Sequence, residues 1–136
     1  MIISTRGRYA LRVMIDLAEN GGGDYIPMKT IAERQGISLK YLERILPVLT
    51  RNGIVEGQQG KGGGYRLTRV PEEYGIGEIL RLTEGDLSPV SCMACGAEPC
   101  RQRCRCKTYP LWAGLQETID NYLDNITLAA LVSGEL

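Results

Sequence analysis

Five cysteines, Cys92, Cys95, Cys100, Cys104 and Cys106, fall within fifteen residues, and the other positions of this 136-residue chain hold none. A packing role does not account for them, because Glu98, Arg101, Arg103, Arg105 and Lys107 make the segment too polar for a core. Disulfides fit poorly too, since five thiols leave one unpaired and a reducing compartment keeps thiols free. Thiolate ligation of a metal ion or an iron–sulfur cluster is the chemistry that this residue type at this density points to. The basic neighbours favour the thiolate form and offset the negative charge of a cluster. Only Cys92 and Cys95 form a Cys-x-x-Cys step, which is not the double pair of a zinc ribbon. Spacing alone leaves zinc and iron–sulfur level.

Other chemistries are excluded more simply. There is no histidine, which removes histidine-based catalysis and histidine metal ligands together. No nucleophile sits beside a recognisable base, so neither an enzyme nor a small-molecule substrate is expected. Gly60-Lys61-Gly62-Gly63-Gly64 lacks the Lys-Ser/Thr ending of a phosphate-binding P-loop and leads into a strand-like run rather than a helix.

The elements that must position the cysteines follow from periodicity. Ala10, Val13, Met14, Leu17 and Ala18 mark an amphipathic helix that starts near Ser4 or Thr5 and stops at Asn20-Gly21. Pro27 opens a second, short helix with Met28, Ile31 and Ala32 as its buried stripe. Gly36 turns the chain and Ser38 caps a third helix, which buries Leu42, Ile45, Leu46 and Leu49. Short helix, glycine turn and capped helix make a helix-turn-helix. Pro47 lies inside the third helix and is expected to bend or break it after Leu46. Ile54-Val55-Glu56 and Tyr65-Arg66-Leu67 then read as strands of a hairpin with a glycine-rich tip, a wing. A further helix is expected over Ile76 to Leu82, and irregular chain over 84–107. From Pro110, the residues Trp112, Leu115, Ile119, Tyr122 and Ile126 repeat at three and four, the seam of a coiled-coil-like dimer helix. Thr127 caps a last short helix.

The fold class expected is therefore mostly α with a small β-hairpin. A winged helix-turn-helix fills 1–70, and the cysteine-rich sensor loop (84–107) and dimerisation helices fill 71–136. Charge divides at nearly the same place: residues 1–69 hold 11 Lys and Arg against 6 Asp and Glu, and the remainder holds 5 against 10. A basic half joined to an acidic one suits a polyanion-binding module. The start of the third helix offers Ser38, Lys40, Tyr41 and Arg44 to DNA together with Glu43: Ser38, Lys40 and Arg44 can donate to phosphates or purine acceptors, and Glu43 can accept from a cytosine amino group. Arg6 and Arg8 ahead of the first helix and Gln59 and Lys61 in the wing complete the expected contacts with double-stranded DNA. No apolar run approaches the roughly 20 residues of a membrane span, and Met1 to Arg6 lacks a signal sequence. A cytoplasmic protein with no membrane partner is expected.

Thr5-Arg6-Gly7-Arg8-Tyr9-Ala10, Ile31-Ala32-Glu33-Arg34-Gln35-Gly36-Ile37-Ser38 with Tyr41-Leu42-Glu43, Gly62-Gly63-Gly64-Tyr65 and Asn125-Ile126-Thr127-Leu128 occur in that order. Over essentially the whole chain these motifs resemble the IscR, NsrR and CymR family of winged-helix transcription regulators. The resemblance implies a homodimer that binds a palindromic operator and holds an iron–sulfur cluster, 2Fe–2S ahead of 4Fe–4S, on three loop cysteines. Cys100 and Cys106, with five residues between them and followed by Leu111-Trp112, match the family's last two ligands, and Cys92 suits the first. The fourth ligand departs from the pattern. Tyr109 stands where the iron–sulfur regulators have histidine, and Arg8 where nitric-oxide sensors have an acid, which leaves an extra cysteine (Cys95 ahead of Cys104), a non-protein group, or no fourth ligand. Gln59 replaces a frequent arginine, and Lys40 a small residue, which bears on the DNA sequence read. Two alternatives stand beside this reading: a cluster-free regulator of cysteine or sulfur metabolism that acts through thiols or a partner protein, and a zinc-stabilised interaction module.

Overall fold

A computed structural model describes residues 3–93 and 105–136. Helix α1 (Thr5–Asn20) is the centre of the molecule, with α2 (Met28–Gln35), α3 (Leu39–Arg51), α4 (Ile76–Glu84) and the C-terminal α6 (Leu128–Ser133) packed around it. Ala10, Val13, Met14 and Leu17 form its apolar stripe and are buried against Ile31, Leu42, Ile45, Leu46 and Leu49. Each such side chain taken fully out of water contributes roughly 1.5–3 kcal/mol. Tyr74, Ile76, Ile79, Leu80, Leu87 and Leu128 join the same cluster, so one core continues across residue 70.

The helix-turn-helix forms as its punctuation requires. Gly36 takes a left-handed conformation at the end of α2, and the Ile37 N–H then bonds back to the Ala32 carbonyl at 3.1 Å. Ser38 caps α3 by accepting from the Tyr41 N–H at 3.1 Å. The break expected at Pro47 does not occur: α3 runs unbroken from Leu39 to Arg51. Proline removes only the N–H that would meet the Glu43 carbonyl, and both residues face solvent, so water can serve that oxygen. Ile45, Leu46 and Leu49 are fully buried on either side of it and hold the two halves in line.

Strands β1 (Val55–Gln58) and β2 (Gly64–Leu67) pair antiparallel, Val55 opposite Leu67 and Gln58 opposite Gly64. The hairpin is sewn to the α1–α2 connection, because Ile26 and Tyr65 exchange both backbone hydrogen bonds at 2.8 Å. Gly64 makes this possible. Its φ is +147°, and a Cβ there would run into the Ile26 carbonyl. A second bridge, Gly75 with Thr127, ties the entry of α4 to the entry of α6 through Ile76 N–H to Ile126 O and Leu128 N–H to Tyr74 O, both 2.9 Å. Helix α4 extends to Glu84, one turn fragment beyond the sequence expectation of Leu82. The irregular segment that follows includes a short 3-10 turn, Ser91–Met93. Helix α5 (Tyr109–Asp124) then packs on α4.

Candidate nucleic-acid interface and cysteine segment

Helix α3 has one fully buried face and one solvent face. Ser38, Lys40, Glu43 and Arg44 lie on the exposed side, and Tyr41 is half-buried. Its ring meets Tyr9 of α1 edge-to-face at 5.2 Å, which fixes the start of α3 against the start of α1. Ser4, Thr5 and Arg6 line one wall of a groove of about 410 Å³, and Tyr41, Arg44, Ile45 and Val48 line the other. The structure thus brings Arg6 and Arg44 to one depression. Arg8 is exposed, its guanidinium donating to Thr5 Oγ1 at 3.1 Å. Gln59 and Lys61 are exposed at the wing tip.

Ion pairing sorts the basic residues. Arg34 pairs with Asp16, Arg66 with Glu56, Arg69 with Glu78, and Arg81 with Asp120 and Asp124. Each guanidinium is held above its ordinary pKa, chiefly by the hydrogen bond to its carboxylate. Arg66, which the sequence places beside the wing tip, is committed inward: it also donates to the Gly23 carbonyl and stacks on Tyr25 at 4.4 Å. Among the described residues, Arg6, Lys40, Arg44 and Lys61 pair with no acid. An unneutralised cation is the one available to a phosphate.

Three anchors hold this face, and spacing names none of them. Asp16 is fully buried on α1 and accepts from Arg34 Nε and Nη2 at 3.0 and 2.7 Å and from Gln35 Nε2 at 3.0 Å. Arg12 adds bonds to the Gln35 carbonyl and side chain, so the end of α2 is clamped onto α1. An acid beside Val13, Met14 and Leu17 is a signal for a buried pair, but it does not identify the partner. Tyr74 is the second anchor, buried with its hydroxyl among Ile54, Thr68 and Arg69. Glu84 is the third. It accepts from the N–H and Oγ of Ser4, 80 residues earlier, at 3.0 and 2.7 Å.

Of the sequence-predicted ligands, Cys95 and Cys100 (with Cys104) lie outside the described residues, while Cys92 is exposed and Cys106 half-buried. Both described thiols are free, and they bracket the segment that carries the other three cysteines. The Thr108 hydroxyl, 3.2 Å from Cys106 Sγ, and then the Thr108 and Tyr109 backbone amides draw that thiol below its ordinary pKa. Exposed Arg105 and Lys107 flank it. A soft thiol not in a disulfide and flanked by cations, as at Cys106, fits a thiolate-held iron–sulfur group. Among the described residues alone, no three metal-ligating side chains converge.

The α5 seam divides. Ile119 and Ile126, with Leu123, pack on the molecule's own core, and Trp112 is half-buried. Leu115 and Tyr122 stay 40% and 62% exposed, and Leu111 beside them 61%. The sequence treats all five seam positions as one surface. The structure leaves Leu111, Leu115 and Tyr122 as the outward apolar face, because α4 already takes the other side of the helix. Among the described residues, no helix is long and apolar enough to cross a membrane.

Comparison with known proteins adds a consistent result. A family profile described as Rrf2, iron-dependent transcriptional regulator, matches residues 3–134. The HTH-type transcriptional regulator IscR of Serratia proteamaculans is 38% identical over 135 residues, covering 99% of this chain and 81% of the relative. Among solved structures, T. potens IscR superposes with a TM-score of 0.79 at 34% identity, covering 100% of this chain and 89% of that one. The global cysteine regulator CymR of B. subtilis also superposes with a TM-score of 0.79 at 34% identity, covering 98% and 97%.

Proposed function

This chain belongs to the Rrf2 family of transcriptional regulators, DNA-binding proteins rather than enzymes, and from that premise we propose a cytoplasmic homodimer that reads a palindromic operator and senses iron–sulfur or redox status through its cysteine segment. The observation that carries the DNA part is the outer face of α3. Lys40 and Arg44 are exposed and, among the described residues, pair with no acid, Glu43 stands between them, and Arg6 approaches from the adjacent helix. Lys40, Arg44 and Arg6 hold phosphates or guanine edges, and Glu43 selects cytosine. Ser38 and Tyr41 orient the helix start, and Gln59 and Lys61 reach from the wing.

Cys92, Cys100 and Cys106 would hold the cluster, with Cys95 as the fourth thiolate. When bound, the group supplies a redox- and oxygen-sensitive crosslink of the segment. The chain's own part is to join that segment directly to α4 on one side and to α5 on the other, so that its order bears on how two DNA-binding heads sit in a dimer. A cluster-free regulator acting through thiol chemistry is the second reading. Its support is that the cysteine regulator from B. subtilis superposes as closely as T. potens IscR.

Anaerobic purification and a visible spectrum separate the two. A brown protein with iron and sulfide, bleached in each of Cys92→Ser, Cys100→Ser and Cys106→Ser, is expected. A colourless protein with free thiols sinks the cluster reading, and bound zinc without colour favours an interaction module. Against an operator selected from random duplexes, Lys40→Ala and Arg44→Ala should lose affinity and salt dependence, while Glu43→Ala should change base preference by roughly 1–3 kcal/mol. Wild-type behaviour in all three removes α3 as the reader.

A further inference from the structure

Glu84 is the last residue of α4, and its carboxylate sits on the first turn of α1. It accepts from the Ser4 N–H at 3.0 Å and from Ser4 Oγ at 2.7 Å, while Ser4 Oγ in turn accepts from the Gly7 N–H at 3.4 Å and caps the helix. Gly7 is buried, and a Cβ there would collide with Glu84 Oε1, so the absence of a side chain at Gly7 is what admits the carboxylate. The same first turn carries Arg6 into the groove that it shares with Arg44. Ser4, bonded at its backbone and at its side chain to one carboxylate, therefore has its place set by α4 and not by α1 alone.

We propose that Glu84 is a positioning residue for DNA binding, one that fixes the first turn of α1 so that Arg6 meets the phosphate backbone in register with α3. The proposal rests on the assignment of Arg6 to DNA made above. Glu84 touches no nucleic acid in this role. It removes the freedom of a helix end that would otherwise fray, and an arginine on a frayed turn loses its phosphate contact to disorder.

The test uses the full chain and an operator selected with the wild-type protein. The slope of log affinity against log salt counts phosphate contacts, at about 0.9 per contact. Glu84→Ala should reduce that slope by about one, as Arg6→Ala does, and the double variant should lose no more than either alone. Glu84→Gln, whose Oε1 still accepts both Ser4 bonds, should restore the wild-type slope. Ser4→Ala, which keeps the N–H but loses the hydroxyl, gives a second route should Glu84→Ala fold poorly, and should shift the slope in the same direction. A purely structural role would lower the melting temperature and leave the slope alone. A wild-type slope in both Glu84→Ala and Ser4→Ala, or losses that add to those of Arg6→Ala, overturns the role of Glu84. A wild-type slope in Arg6→Ala overturns the assignment of Arg6 itself and the present inference with it.

Discussion

Tyr74 organises the base of the wing with one oxygen. Its hydroxyl accepts from the Thr68 and Arg69 N–H groups, both at 3.0 Å, and donates to the Ile54 carbonyl at 2.7 Å, while the Arg69 guanidinium lies 4.4 Å from its ring. Ile54 leads into β1, and Thr68 and Arg69 leave β2, so a single buried side chain closes the open end of the hairpin. Tyr74→Phe keeps the ring and removes every one of these bonds. It should cost about 1–3 kcal/mol in urea unfolding, the range for leaving buried polar groups without partners. A loss within error would mean that water replaces the hydroxyl. Nothing in the sequence around Tyr74 announces this role, because its partners lie at positions 54, 68 and 69 and only the folded chain gathers them. The same holds for Glu84 and Ser4. By contrast Ser38 and Thr127 were legible as caps, since a cap bonds to an N–H three residues on and the spacing is local.

Among the elements, the hairpin shows how a backbone position can decide an interface. Gly64 lets β2 lie against Ile26, and the reciprocal 2.8 Å bonds between Ile26 and Tyr65 make the wing part of the head rather than an appendage. Gly64→Ala should part that seam, seen as faster hydrogen exchange at the Ile26 and Tyr65 amides with α1 and α3 still protected. Protection equal to wild type would show that the seam tolerates a Cβ. Glycine density in the sequence marks the hairpin but cannot tell the tip glycines from the one pressed against its neighbour. Periodicity read the helices well, because α1, α3 and α4 each bury one stripe. The proline rule failed at Pro47, where burial of Ile45, Leu46 and Leu49 outweighs one missing hydrogen bond, and that balance is tertiary.

In the molecule as a whole, α5 is shared between two tasks. Ile119, Leu123 and Ile126 serve its own core, while Leu111, Leu115 and Tyr122 face outward. Variants at Ile119 would therefore confuse folding with association. Leu115→Asp and Tyr122→Asp place a charge on the outward side only, and each should shift sedimentation from dimer to monomer with the melting of the head retained. A dimer of wild-type affinity in both would move the interface elsewhere. The three-four repeat revealed an apolar helix of this length, but a repeat cannot say which of its sides α4 will claim.

Among the described residues, the ion pairs of α5 gather toward its C-terminal end. Arg81 holds Asp120 and Asp124 at 2.7 and 2.6 Å, and the bridge between Gly75 and Thr127 pins the chain just past the helix end. These restraints sit at one extremity, and the cysteine segment enters at the other, through Cys106 and Thr108. If α5 swings, its ion pairs make Asp120 the natural pivot. From there to Tyr109 the arm is about 16 Å at a rise of about 1.5 Å per residue, so a swing of about 5° at the fulcrum carries the far end by about 1.4 Å. In the symmetric dimer proposed above, the separation of the two far ends would change by up to about twice that distance. Under the proposed sensing role, an ångström-sized displacement beside Cys106 would reach Arg81 and α4 as a small rotation.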